Sequence, residues 1–161
     1  MLSIKWCLRQ KKGIGLIEPN GNMSKSYLNM AEESIDALND IKKGKIWVAT
    51  ASYYIFYYSL YALMMRIGIK CEIHACSLLL MQKHLTEFYD SKDVEMINKA
   101  FSARIDLQYY SDRPVDSAVI DECRKYCKDF FIKTKDKLSS ITEDQIESIR
   151  EDLEKIGLKN G

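Results

Sequence analysis

The sequence contains few of the residues that interrupt regular structure. Seven glycines and two prolines occur among 161 residues, so long segments run without a strong turn signal. Long segments of this kind are typical of helices and not of the many short strands of an all-β domain. The sequence therefore predicts an all-α fold, and its length suits one domain with a sizeable core.

Neither sign of charge is in excess. The 24 lysines and arginines oppose 23 acidic residues, which gives a net charge of +1. No overall field therefore indicates nucleic acid or an anionic membrane as a partner, and only a local patch can serve such a partner.

The common catalytic and cofactor signatures are also missing. The sequence contains no Walker loop, dinucleotide fingerprint, HExxH motif or GxSxG motif. Cys71, His74 and Cys76 fall short of the four ligands of a closed zinc site, so we predict neither metal nor cofactor. His74 adjoins an apolar run, which favours a capping or core role over catalysis.

The cysteine pattern gives no sign of a disulfide framework. The five cysteines are an odd number, and none forms a CxxC pair. The first residues also lack the charged-then-apolar pattern of a secretory signal. These features predict reduced thiols and a cytoplasmic protein.

One uncharged run, Ile46 to Met65, dominates the chain. As a helix it would extend about 30 Å, which is also the length of a membrane span. Its five tyrosines favour a protein core over lipid, because buried phenols need hydrogen-bond partners. We predict a central helix with no membrane contact, on which Tyr53, Tyr57 and Tyr61 form one stripe.

Apolar periodicity elsewhere predicts four or five main helices in an up-and-down bundle, with a short C-terminal helix added. Ser24, Ser91 and Asp116 are the predicted N-caps of three of these helices. Thr142 and Gln145 have the spacing of a capping box and predict the start of the C-terminal helix, which Gly157 is expected to end. The predicted segments are an N-terminal arm (1–22), the bundle (23–138) and a C-terminal amphipathic helix (139–161).

The segment FSARIDLQYYSD, Phe101 to Asp112, concentrates the side chains most suited to binding. The guanidinium of Arg104 can bind a phosphate through two nitrogens, and a phenol can bond to a ribose hydroxyl. Arg104 and Tyr109 lie about 140° apart on a regular helix, so sharing a ligand requires the helix to end or a second subunit to contribute. Arg104 and Gln108 share one face.

The same segment also has a structural interpretation. Arg104 can pair at the surface with Asp106 or Asp112. The two tyrosines would then pack on the next helix. On these residues alone, the structural interpretation is favoured.

Three motifs together resemble the HEPN superfamily. They are AxYYxxFYxLYALMxRxGIK at 51–70, EIHAC at 72–76 and RIDLQYY at 104–110. The resemblance extends roughly over 23–138, and the whole chain is similar to archaeal members of the group. It implies a helical bundle that dimerises. Many such domains are metal-independent endoribonucleases, often toxins encoded beside a minimal nucleotidyltransferase antitoxin, whereas others bind nucleotides or are non-catalytic.

Active members of that superfamily carry an arginine followed a few residues later by a histidine, and the motifs of two subunits converge on one cleft. Arg104 matches the arginine, but Tyr109 stands at the histidine position and Tyr110 follows it. Histidine titrates near a pKa of about 6.5, whereas an unperturbed tyrosine near about 10 stays protonated at neutral pH. Losing a matched acid or base commonly costs about a hundred- to ten-thousand-fold in rate.

The resemblance and this departure lead to two functional hypotheses. The first is a homodimeric binding or accessory module that engages a minimal nucleotidyltransferase, a nucleotide or RNA. Its binding residues would be Arg104, Asp106, Gln108, Tyr57 and Tyr61. The second is a metal-independent endoribonuclease, with Arg104 on the phosphate and Tyr109 or Tyr110 on the sugar. A purely structural role for the Arg104 segment is the third option.

Overall fold

The computed structural model describes residues 1–158, which form an all-α helical bundle and confirm the predicted class. The elements in order are α1 (Ile4–Arg9), β1 (Gly15–Leu16), α2 (Gly21–Asp40), α3 (Lys45–Ile67), β2 (Ile69–Lys70), α4 (His74–His84), α5 (Ser91–Tyr109), α6 (Ser117–Ser140) and α7 (Glu143–Leu158).

Helix α3 is the central helix predicted from the uncharged run. Most of its side chains are buried, and it packs against α2, α5 and α6. It ends where Gly68 adopts the left-handed conformation, with φ of 85°, and donates its N–H to carbonyls of the last turn. Glycine adopts this conformation without the penalty that a Cβ imposes. Within residues 1–158, no helix has the length and apolar character needed to cross a membrane.

The arrangement around α3 leaves one side of that helix partly uncovered. Helix α6 packs against α3, α5 and α2 and so closes one side of the bundle. In the described chain, α2 and α5 make few contacts with each other. A seam between α2 and α5, with α3 as its floor, therefore faces away from α6.

Two of the predicted helix starts are wrong because a neighbouring side chain provides the cap. Helix α2 begins at Gly21 and not after Ser24, since the Asn20 side chain accepts a hydrogen bond from a backbone N–H of the first turn. Helix α5 is capped by Asp90 and not by Ser91. The Asp90 side chain accepts hydrogen bonds from the backbone N–H groups of Lys92 and Asp93. The Asp93 side chain in turn accepts a hydrogen bond from the Asp90 N–H.

The predicted starts of α6 and α7 are confirmed. Asp116 caps α6. At α7, the Thr142 N–H donates to Gln145 Oε1 at 3.0 Å and the Gln145 N–H donates to Thr142 Oγ1 at 3.2 Å. Gly157 was expected to close α7 but lies within it. Residues 159–161 of the predicted C-terminal segment lie outside the described part of the chain.

Helix α7 docks on the body through its apolar stripe, since Ile146, Ile149 and Leu153 are buried. Arg150, on the same helix, reaches the end of α3. Its Nη1 donates to the carbonyl oxygens of three residues, Ile17 at 2.7 Å, Gly68 at 2.9 Å and Ile67 at 3.2 Å. This arginine fixes α7, the N-terminal arm and the end of α3 together.

The N-terminal arm is more ordered than its irregular sequence suggests. It contains α1 and the strand β1, which pairs antiparallel with β2. Cys7 of α1 forms a disulfide with Cys76 of α4, so the prediction that all thiols are reduced is wrong for this pair. The two cysteines are 69 residues apart, and their contact depends on the tertiary fold. Cytoplasmic localisation stays a prediction.

Candidate functional site

Arg104 projects from α5 onto two tyrosines of α3. Its Nη1 donates to the Tyr54 hydroxyl at 3.0 Å. Its Cζ lies 4.8 Å from the ring centroid of Tyr53 and 5.4 Å from that of Tyr54. The hydrogen bond and the cation–π contacts together hold the half-buried guanidinium against the floor of the seam. Its Nε is buried and has no hydrogen-bond partner among the described residues.

Gln108 shares the face of Arg104, as predicted. Its Nε2 donates to Thr50 Oγ1 at 2.9 Å, one helical turn from Tyr54 on α3. The two α5 side chains therefore contact the same side of α3 in succession. Gln108 itself is exposed.

The other side chains of the RIDLQYYSD segment lie apart from Arg104. Asp106 pairs with Arg113 at 3.2 Å. Arg104 pairs with neither Asp106 nor Asp112 among the described residues, so the predicted surface pair is wrong. Tyr110 packs against the Arg113 guanidinium, whose Cζ is 3.7 Å from its ring centroid. Tyr109 is 70% exposed, which also contradicts its predicted packing on the next helix. In the described contacts, neither tyrosine joins Arg104.

His74 has the hydrogen-bonding role predicted for it, but its connection to Arg104 through Tyr53 was not predicted. The Tyr53 hydroxyl and His74 Nδ1 are 2.6 Å apart. The Tyr57 ring stacks on the imidazole, with centroids 3.9 Å apart and planes within 7°. Tyr53 thus contacts His74 with its hydroxyl and Arg104 with its ring face. Two features of the sequence could have indicated these contacts of His74. They are the stripe that contains Tyr53 and Tyr57 and the presence of only two histidines.

The electrostatics of the site keep His74 neutral. Burial, with a smaller contribution from the Arg104 charge, lowers the pKa of His74 from 6.5 to about 4. Burial also raises the pKa of Tyr53 far above its usual value, so this phenol stays protonated. Among the hydrogen bonds of the described residues, the Tyr53 proton has no other acceptor. We therefore infer that Tyr53 donates to Nδ1 and that His74 carries its own proton on Nε2.

A groove lies between α2, α3 and the segment that leads into α4. We call it the tyrosine groove; its volume is about 290 Å³, and its lining consists of Tyr27, Met30, Tyr54, Tyr57, Tyr58, Tyr61, Cys71, Glu72 and His74. The Tyr57 and Tyr61 side chains, predicted as binding residues, both contribute to it. Tyr54 lines the groove and accepts the Arg104 hydrogen bond, so the guanidinium lies at the border of the groove.

Other depressions on the described surface are larger but have few or no aromatic side chains in their linings. One of about 560 Å³ has a single aromatic lining residue, Tyr89. One of about 480 Å³ runs along α6, and one of about 520 Å³ lies between α5 and the start of α6. Aliphatic and polar side chains, including several charged ones, line both. The tyrosine groove therefore has the lining most suited to a flat aromatic ligand.

The rim of the tyrosine groove carries charges of both signs. Glu72 is exposed and pairs with Lys70 at 3.2 Å and with Lys12 at 3.4 Å. Hydrogen bonds from Lys70 and then Lys12 lower the pKa of Glu72, so its carboxylate is ionised at neutral pH. Glu72 lines the groove, and the two lysines lie beside Glu72 outside the lining.

Comparison with protein-family models and with curated proteins gives no match for this chain. The HEPN relationship therefore stays a prediction. Within residues 1–158, no group of three or more His, Cys, Asp or Glu side chains has the arrangement of a metal site.

The lowered pKa of His74 predicts a specific loss of stability in acid. In the unfolded chain His74 takes up a proton near pH 6.5, whereas the folded protein does so near pH 4. Between these values the unfolded state binds more protons, so the free energy of unfolding falls as the pH falls. Chemical denaturation of the wild type and of His74→Gln across pH 4 to 7 measures this contribution.

The two proteins share the carboxylates that also titrate in acid. The difference between their unfolding free energies should therefore shrink as the pH falls through this window. A constant difference at every pH would show that His74 is not held neutral by its surroundings.

Proposed function

We propose that this chain is a homodimeric HEPN-type binding module that holds a nucleotide or an RNA phosphate at Arg104 and works beside a minimal nucleotidyltransferase. The observation that carries the proposal is the position of Arg104, held on Tyr53 and Tyr54 at the border of an aromatic groove. A guanidinium matches a phosphate through paired hydrogen bonds, and aromatic rings stack on bases. The buried, unpartnered Nε of Arg104 leaves a donor that the described residues do not satisfy.

The chemistry of the neighbours favours binding over cleavage. Tyr109 is exposed and Tyr110 packs on Arg113, and neither contacts Arg104 in the described residues, so neither is placed to exchange protons beside it. His74 is closer, but a pKa of about 4 leaves it almost wholly neutral at pH 7. A catalytic acid or base works best with a pKa near the working pH.

Arg104→Ala is expected to weaken binding of a short single-stranded RNA by about tenfold to a hundredfold. The reason is that a hydrogen bond to a charged group contributes about 1.5 to 3 kcal/mol, and about 1.4 kcal/mol corresponds to a tenfold change. Fluorescence anisotropy of a labelled RNA, with the melting temperature of each protein, gives the comparison.

Arg113→Ala is the matched control. It removes the same charge near the end of the same helix, where the guanidinium packs on Tyr110 and pairs with Asp106. Loss of affinity in Arg104→Ala alone supports the proposal. Wild-type binding by a folded Arg104→Ala protein would refute it, and a change in melting temperature alone would leave Arg104 with a structural role.

The proposed dimer and nucleotidyltransferase partner are supported by the HEPN resemblance. In a dimer, a second Arg104 motif would face the first across one cleft. Light scattering of the purified protein should give the mass of two chains. Co-expression with a nucleotidyltransferase from an adjacent gene should give a complex that withstands gel filtration.

A second candidate function is metal-independent cleavage of RNA. The observation that favours it is His74, which is hydrogen-bonded to Tyr53, the residue whose ring Arg104 also contacts. From another helix, His74 can replace the missing motif histidine. In that mechanism Arg104 would stabilise the charge on the phosphate while the 2′-hydroxyl attacks. Chelator-resistant cleavage with cyclic phosphate ends, lost in both Arg104→Ala and His74→Gln, would identify it. Intact RNA over a broad panel would exclude it.

A further inference from the structure

We propose that the tyrosine groove is a pocket for one nucleobase, whose attached phosphate reaches Arg104. This inference rests on the proposed function, and it adds a base-binding site to the phosphate contact. The ligand would be a free nucleoside 5′-monophosphate or one residue of an RNA chain, because both present one base and one phosphate.

The size of the groove suits a single base. Its volume is about 290 Å³, whereas pockets for drug-sized ligands span roughly 300 to 1,000 Å³. A volume at the lower limit accommodates one ring system and excludes a stacked dinucleotide.

The walls of the groove offer ring faces from two helices. Tyr27 of α2 has its ring centroid 4.7 Å from that of Tyr61 and 6.2 Å from that of Tyr58, both on α3. Tyr27 and Tyr58 are half-buried, so part of each ring remains accessible. Stacking on an aromatic side chain increases the affinity for a base by about tenfold or more.

Polar groups in the lining of the groove and beside it match the base and the phosphate of a nucleotide. His74, which lines it, carries its proton on Nε2 if Tyr53 donates to Nδ1, and so offers a donor to a base acceptor. Glu72 at the rim offers an acceptor to an exocyclic amine. Arg104, bonded to the lining hydroxyl of Tyr54, provides the cation for the phosphate.

Calorimetric titration of the full chain with AMP and with ribose 5-phosphate separates the two contacts. AMP should bind about tenfold more tightly than ribose 5-phosphate, which lacks the base. Tyr58→Ala should reduce AMP affinity to that of ribose 5-phosphate and leave the sugar phosphate unaffected. Arg104→Ala should weaken both ligands. Trp47→Ala, an exposed aromatic outside the groove, should weaken neither.

A second variant covers the case in which Tyr58→Ala fails to fold. Met30 is 39% exposed on the α2 side of the groove, so Met30→Trp should fill the groove without removing a core side chain. It should abolish the advantage of AMP over ribose 5-phosphate. Unchanged AMP binding in a folded Met30→Trp protein would overturn the base pocket.

The outcomes also separate this inference from the proposed function. Equal affinity of the wild type for AMP and ribose 5-phosphate, with loss of both in Arg104→Ala, would overturn the base pocket and retain the phosphate contact. Binding of neither AMP nor an adenosine pentanucleotide would overturn both. If the pentanucleotide binds more tightly than AMP and also depends on Tyr58, the base pocket belongs to an RNA residue.

Discussion

Tyr53→Ala is expected to lower the free energy of unfolding by about 3 to 5 kcal/mol, the range for removing a large buried aromatic side chain. Tyr53 is fully buried, and its ring lies 5.7 Å from Tyr57, 5.5 Å from Phe101 and 5.8 Å from His74, measured between centroids. The substitution removes these contacts and the surface on which Arg104 lies. Chemical denaturation at neutral pH gives the value.

Tyr53→Phe separates the ring from its hydroxyl. It retains the volume and removes only the 2.6 Å hydrogen bond to His74, so we expect a loss of about 1 to 2 kcal/mol. If Tyr53→Ala cost no more than Tyr53→Phe, the ring would not be packed as described, and its role in positioning Arg104 would be wrong.

Gly68→Ala is expected to cost about 2 to 5 kcal/mol. The left-handed conformation, with φ of 85°, penalises any residue with a Cβ by about 1 to 2 kcal/mol. An added Cβ would also lie 2.5 Å from the Ile17 carbonyl oxygen, 2.9 Å from the Pro19 nitrogen and against the Arg150 guanidinium. Forcing these atoms apart adds about 1 to 3 kcal/mol.

Gly157→Ala is the matched control for Gly68→Ala. Gly157 lies in α7, and a Cβ there would meet nothing within 4 Å. Alanine is favoured over glycine in a helix by up to about 1 kcal/mol, so this variant should be unchanged or slightly more stable. Equal effects at both positions would contradict the close approach of α7 and the N-terminal arm at Gly68.

Local patterns predicted much of the fold. The uncharged run from Ile46 to Met65 gave α3 nearly to its ends, because a continuous apolar sequence with a terminal glycine is a local signal. Asp116 and the Thr142–Gln145 pair fixed two helix starts for the same reason. Ser24 and Ser91 failed because Asn20 and Asp90 are also good caps close by, and local preference does not choose between such neighbours.

The site was less predictable because its contacts span the chain. Arg104 was selected for its chemistry, but its partner Tyr54 is 50 residues away and the Tyr53–His74 bond joins residues 21 apart. Nothing in the spacing around His74 specifies that the imidazole stacks on Tyr57. The disulfide of Cys7 with Cys76 was missed for the same physical reason, since tertiary packing alone brings α1 to α4.

Side-chain NMR of the arginine guanidinium groups, recorded during a titration with AMP, tests the role of Arg104 most directly. The Nε and Nη resonances of Arg104 should shift with the AMP concentration, because a phosphate hydrogen bond changes their surroundings. Those of Arg113, which is held by Tyr110 and Asp106, should stay in place. Arg104 resonances that do not move while AMP saturates the protein would contradict the proposed site.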